Sequence, residues 1–203
     1  MAPQSGAMML FQSRKTETDE VDTSAAVDRA LRHAAVKDPY ALKEQTAILE
    51  NAIATLEAAA QGVDAIGAMI GEGRELTGSA AATENKAKRA LIAERYNDMI
   101  EAIDTAAKAA SANGVNLIDD GHDEIEINLQ EHGGVKLAVR HTRLTRGIGG
   151  LQLSPARDAF DGDAEIEQIR KELDDAHARL DGLAERYCAD AAFLAERLAA
   201  FAA

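Results

Sequence analysis

Three histidines fall close together in the middle of the chain: His122, His132 and His141. Neutral imidazole is a common metal ligand, so three of them around one hairpin could converge on an ion. None of the five histidines, His33 and His177 included, belongs to a metal-ligand pattern such as HExxH. Solvated loop histidines are the plainer reading. Asp119, Asp120, Asp123 and Glu124 form an acidic turn beside them. It lacks EF-hand spacing and reads as a solubilising turn. Asp158, Asp161 and Asp163 read as residues that start a helix, with Asp163 as the cap. The single cysteine, Cys188, sits near Tyr187 and Phe193 and reads as a buried structural thiol. Gly71-Glu72-Gly73 and Gly147–Gly150 are too short for a phosphate loop and lack the strand–helix setting. These residues give no catalytic group, no cofactor site and no metal site.

The strongest charge asymmetry lies elsewhere. Residues 132–157 contain no acid but do contain Lys136, Arg140, Arg143, Arg146 and Arg157, in a chain of net charge −13. One reading is a loop that docks against acidic helices of its own chain. The other is a contact patch for an acidic neighbour, another copy included. On the second reading Lys136, Arg140, Arg143 and Arg146, with Arg74, are the candidate subunit-contact residues.

The elements that must position these groups follow from composition and period. The 203 residues are 46% apolar but only 3% aromatic, with no Trp. Much of the apolar share is Ala, the best helix former. Ala-rich, charge-rich and aromatic-poor describes long helices meeting along narrow seams. The negative charge disfavours nucleic acid and anionic membrane as partners. One cysteine cannot make an internal disulfide. The apolar run Ala7–Phe11 is too short for a signal-peptide core, and no segment is expected to approach a membrane span.

Residues 1–37 read as a flexible polar arm with a short helix around Ser24–Ala35, and residues 38–203 as the folded unit. Asp38-Pro39 opens a long helix, Asp as cap and Pro at the first position. Leu42, Leu49, Ile53, Leu56, Ala60, Val63 and Ile70 give it a coiled-coil-like seam. Gly71, Gly73 and Gly78 predict an end or bend there. Thr83-Glu84 starts a second helix lined by Leu91, Tyr96, Met99, Ile100 and Ile103, which Asn113-Gly114 stops. Ile125, Ile127 and Leu129 alternate, as do Val135, Leu137 and Val139. With Gly133-Gly134 between them they predict a β-hairpin at about 124–139. One further short strand is expected at Leu151–Leu153. Ile166, Ile169, Leu173, Ala176, Leu180, Leu183 and Tyr187 predict a single last helix over 163–201, about 58 Å long and antiparallel to the first.

This order carries a resemblance. Asn51–Ile66, Arg74-Glu75-Leu76-Thr77-Gly78-Ser79-Ala80, the Ala112–Ile118 turn, Gly150-Leu151-Gln152-Leu153 and Asp163-Ala164-Glu165-Ile166 are similar, in the same order, to segments of bacterial flagellin. The chain resembles in particular the compact flagellins of alphaproteobacteria. The resemblance spans about Asp38–Leu198. It implies a mainly α fold: an elongated antiparallel helical bundle with a small β-hairpin, like the inner core of flagellin. It also implies a structural subunit or truncated paralogue of the flagellar filament, working by lateral packing and catalysing nothing. The partners it implies are flagellin-type subunits or another acidic protein surface, with the flagellar export machinery or a chaperone as further possibilities. The location it implies is the extracellular flagellum, reached by a non-cleaved export signal, or the cytoplasm if the protein is not exported. Terminal helices that build the inner filament tube are not recognised in residues 1–37 or at the C-terminus. A non-polymerising binding or regulatory adaptor is therefore the alternative. The isolated protein is expected to be monomeric or weakly associated at micromolar concentration.

Overall fold

The computed structural model describes residues 39–128 and 136–202. The arm expected over 1–37, His132 and the Gly133-Gly134 turn lie outside these residues.

Helix α1 runs unbroken over Pro39–Ala81, 43 residues, with Pro39 at its first position. Leu49, Leu56, Val63, Ile66 and Ile70 are buried on one face at steps of three, four and seven. Thr55 and Thr77 are buried on the same face. Their hydroxyls donate to the carbonyls of Asn51 and Gly73 one turn back (2.8 and 3.0 Å). The expected break between Gly71 and Gly78 does not occur. Gly71 and Gly78 face open space and each weakens the helix by about 1 kcal/mol relative to Ala, too little to break it against its packing. Gly73 instead lies where two other helices meet. A Cβ there would stand 2.7 Å from Met99 Cε and 3.0 Å from Leu173 Cδ2. Its missing side chain sets how closely the helices approach, and their packing holds the helix through it. The expectation that no segment approaches a membrane span is also corrected. Within Lys43–Ala81 an 18-residue window reaches a mean hydropathy of 1.2, enough by length and composition to cross a bilayer. Its Ile, Leu and Val residues supply most of that value, and they lie on the face that packs on the other helices.

Helix α2 spans Lys86–Ala109, 24 residues. It starts later than expected because Asn85, not Thr83, is the cap, its side chain accepting from the Lys88 amide (3.1 Å). Tyr96, Ile100, Ile103 and Ala107 form its buried face, whereas Leu91 is 66% exposed on the opposite one. The helix also stops earlier than Asn113-Gly114, at Ala109. Asn113-Gly114 is the two-residue loop of a tight hairpin, β1 (Ser111–Ala112) with β2 (Val115–Asn116), in which Ala112 pairs with Val115. Both loop residues have positive φ, +54° and +79°. That geometry suits a right-twisted hairpin and explains Asn-Gly at this spot.

Asn116 joins this hairpin to the helix. It is 4% exposed, and its Nδ2 donates to Ala107 O (2.8 Å) and Lys108 O (3.2 Å), last-turn carbonyls with no helical partner. Its Oδ1 accepts from the amides of Ile118 (2.9 Å) and Asp119 (3.1 Å). Its own amide donates to the Asp123 carboxylate (3.0 Å).

A second hairpin pairs β3 (Ile125–Asn128) with β4 (Lys136–Val139), antiparallel, Ile125 opposite Val139 and Ile127 opposite Leu137. Ile125, Ile127 and Val139 face the core, and Glu126, Asn128 and Lys136 face out.

The chain then runs back along α2 as a strap, residues 140–162. The amides of Thr142 and Leu144 donate to Leu117 O (2.8 Å) and Ile118 O (2.9 Å). The Arg146 amide reaches Asp104 (2.8 Å), and Asn97 exchanges hydrogen bonds with Ala156. No strand forms at Leu151–Leu153. Their amides are bonded within the strap, to Thr145 O and Arg146 O, and both side chains are buried. The strap ends in a turn with Ala159 and Phe160 at φ +51° and +55°. Phe160 is fully buried and its ring lies 5.7 Å from that of Tyr96. The Glu165 carboxylate accepts from the Asp158 and Phe160 amides and so holds this unfavourable backbone (2.9 Å each).

The last helix is two helices. Helix α3 covers Asp163–Leu180 and α4 covers Leu183–Ala202. Asp181 is extended (φ −56°, ψ 126°) and Gly182 left-handed (φ +66°), which ends the first. The seam survives the break. Ile166, Ile169, Leu173, Ala176 and Leu180 are buried before it, and Leu183, Tyr187, Ala191 and Leu194 after it. Asp163 is the first helical residue and Gly162 the cap position. Its carboxylate takes up a guanidinium instead, that of Arg89 (2.8 Å). Cys188 is exposed, not buried, because it follows Tyr187 around the helix onto the outer face.

Ion pairs and contacts set the directions. Glu72 meets Arg95 and Gly62 meets Ala110, so α1 and α2 are antiparallel. Arg74 meets Asp174, while Val63 and Gly67 meet residues 177–185, so α1 is antiparallel to α3 and α4 as well. The fold is mainly α, an antiparallel bundle with small β-hairpins.

Leu173 is fully buried against the Gly73 position. Leu173→Asp is expected to cost about 4 kcal/mol, read by urea unfolding. A loss below about 1 kcal/mol would contradict this packing. Asn116→Asp keeps the shape but turns a donor into a carboxylate facing two carbonyls. It should cost about 3 kcal/mol at neutral pH. Part of that should return in acid, where the protonated carboxyl donates again. Tyr96 gives a third expectation. Burial, then Glu172 and Glu165, pushes its phenol well above the ordinary range, and burial raises Tyr187 too. The folded state thus holds these protons more tightly than the unfolded chain. Their stabilisation is complete below about pH 10 and is lost as pH rises beyond it. Alkaline melting curves should show that loss, and Tyr96→Phe should reduce it.

Candidate functional site

The described part of the acid-free segment, 136–157, runs from β4 into the strap, so folding fixes most of its basic residues. Arg146 is bound most firmly. Its Nε lies 3.0 Å from Asp104 and its Nη1 3.8 Å from Glu101, both on α2. Arg143 lies 3.6 Å from the Asp120 carboxylate and donates to Asp120 O (2.9 Å) and Ile148 O (3.3 Å). Lys136 pairs with Glu126 across the hairpin at 3.7 Å, both side chains well exposed. Arg74 is separate from these, on α1, paired with Asp174 of α3 at 2.9 Å. Arg140 and Arg157 are exposed and make no ion pair among the described residues. The five candidates therefore do not form one patch of free charge. Arg143 and Arg146 tie the strap to the bundle, and Arg140 is the candidate left with its charge to offer.

The strap carries one feature that charge counting missed. Ile148 is 94% exposed at the tip of the Gly147-Ile148-Gly149-Gly150 loop. The loop beneath it is tightly closed. The Gly150 amide donates to Gly147 O (3.0 Å) and the Leu151 amide to Thr145 O (2.8 Å). A Cβ on Gly150 would fall 2.0 Å from Thr145 O, so only glycine fits. Gly149 has φ +84°, and Arg179 of α3 donates to Gly150 O from the other side. A lone isoleucine among three glycines was the available signal.

Arg89 was also missed. It is 8% exposed and holds the corner where α2 and α3 begin. It donates to Thr83 O (2.7 Å), to Phe160 O and Asp161 O (3.3 Å each) and to the Asp163 carboxylate (2.8 Å). Its role is positional, since all three guanidinium nitrogens are engaged within the chain.

The histidines do not gather into a ligand set in the described part of the chain. His122 and His141 rings stand edge to face at 6.0 Å. His141 Nε2 is 3.6 Å from Asp119. Among the described residues no three His, Cys, Asp or Glu side chains are placed to hold a metal.

No protein-family model matches the chain, and no curated protein matches it. A solved structure does: the crystal structure of Bacillus cereus flagellin superposes with a TM-score of 0.63 at 18% identity, covering 74% of this chain and 85% of that one. With its helix order, directions and hairpins, the chain has a flagellin-like fold.

Proposed function

We propose that this protein is a structural, flagellin-like subunit that packs laterally against flagellin-type subunits. Residues 38–203 would form the packing unit and residues 1–37 an arm. The observation that carries the reading is the likeness of fold to Bacillus cereus flagellin over 74% of the chain. The colinear motifs from Asn51 to Ile166 support placing it beside the compact alphaproteobacterial members. The reading assigns no reaction, and its place of action is the extracellular filament. The contact it favours joins the acid-free segment 132–157, through Arg140 in particular, to acidic helix faces of a neighbour. A net charge of −13 supplies such faces on every copy.

The test mixes the purified protein with full-length flagellin from the same cell, followed by sedimentation and electron microscopy. At low salt the protein should co-sediment with flagellin assemblies. Binding should weaken as the screening length shortens from about 10 Å at 0.1 M to about 3 Å at 1 M. Arg140→Glu should weaken it further without lowering thermal stability, since Arg140 makes no ion pair among the described residues. Binding indifferent to salt and to Arg140 would contradict the reading. Binding without incorporation into filaments would favour a non-polymerising adaptor instead.

A further inference from the structure

Opposite flanks of α3 carry two complementary features. On the strap side is the Ile148 loop. Its rigid closure means that presenting an isoleucine at 94% exposure costs little ordering on contact. Arg143 and Arg179 border it. Arg179 bonds only a neutral carbonyl and keeps its charge without a counter-ion among the described residues.

On the α1 side, where α3 breaks into α4, lies an open notch of about 350 Å³. Val63, Leu180 and Ala184 give it apolar walls, and Asp64, Asp181 and Glu185 its acidic members. None of these three carboxylates makes an ion pair among the described residues. His177 also lines it, and the notch stays net negative even with that imidazole charged. The break between the helices lies in the notch itself, whose lining includes Asp181 and Gly182.

We infer that Ile148 of one copy seats in the acidic notch of the next, with Arg179 facing Asp64, Asp181 and Glu185. The fit is an apolar anchor into an apolar-walled recess, bordered by charges of opposite sign. Strap and notch lie on different faces, so the contact is head-to-tail and each copy keeps one free knob and one free notch. Such a contact propagates from copy to copy instead of closing as a two-fold dimer. The inference rests on the proposed lateral role and names its occupant, a second copy of this chain.

Disulfide trapping in a Cys188→Ser background tests it. Gly67 lines the notch and has nothing within 4 Å of its Cβ position, so Gly67→Cys fits without strain. A chain with Ile148→Cys is mixed at low salt with a chain with Gly67→Cys under oxidised glutathione. The mixed dimer should form well ahead of either self-pair. In parallel, Ile148→Asp should weaken self-association measured by sedimentation about tenfold or more. Its melting temperature should stay unchanged, because the side chain touches solvent. Dominant Ile148→Cys self-pairing, or association untouched by Ile148→Asp, would overturn the knob-and-notch contact. If Arg140→Glu still weakens flagellin binding in that case, the lateral role stands and only this contact falls. A protein that meets neither itself nor flagellin at low salt would end both.

Discussion

The carboxamide of Asn116 does four jobs that the backbone around it leaves undone. Helix α2 ends at Ala109 with carbonyls pointing into the interior, and a buried carbonyl without a donor is costly. Two of them take the Asn116 amide protons, while its oxygen takes two amides of the following turn. The consequence extends further than the turn. With Ile118 and Asp119 fixed, the carbonyls of Leu117 and Ile118 face outward and accept the amides of Thr142 and Leu144. That pairing launches the strap along α2, and the strap brings Phe160 under Tyr96 and Arg89 over the start of α3. One side chain thus links helix end, hairpins and strap.

The three-helix seam needs a different device. Gly73 lets α2 and α3 close on α1 through Met99 and Leu173, and Gly62 does the same for Ala110 and Ile118. These glycines act by absence of a side chain, in the middle of a helix where their conformational freedom is a cost. The helix tolerates them because packing from two sides stabilises it.

Much of this architecture was legible in the sequence. Period and spacing gave the apolar faces of α1 and α3, the antiparallel pairing and the second hairpin. The misreadings share one cause: the sequence shows which residues are glycine or aspartate, not what they touch. Gly73 reads as a breaker because its partners, Met99 and Leu173, are remote in sequence. The seam from Ile166 to Tyr187 predicts one helix because it continues past Gly182, yet the left-handed φ of Gly182 splits it. Asp163 reads as a cap because nothing nearby announces Arg89. The basic segment was visible as charge, but its division was not. Arg143 and Arg146 are held by Asp120, Asp104 and Glu101, whereas Arg140 is not. That division makes the strap a structural part first and a surface second.

Native-state hydrogen exchange on the full chain tests this most directly. The account predicts that the amides of Ile118, Asp119, Thr142, Leu144 and Leu151 open together, with one free energy close to that of the α2 amides. The β3–β4 hairpin should open earlier and by itself, because fewer buried contacts hold it. If the amides of residues 142–151 exchange at the hairpin's rate while Ile118 and Asp119 stay protected, the strap does not depend on the Asn116 joint and the account is wrong.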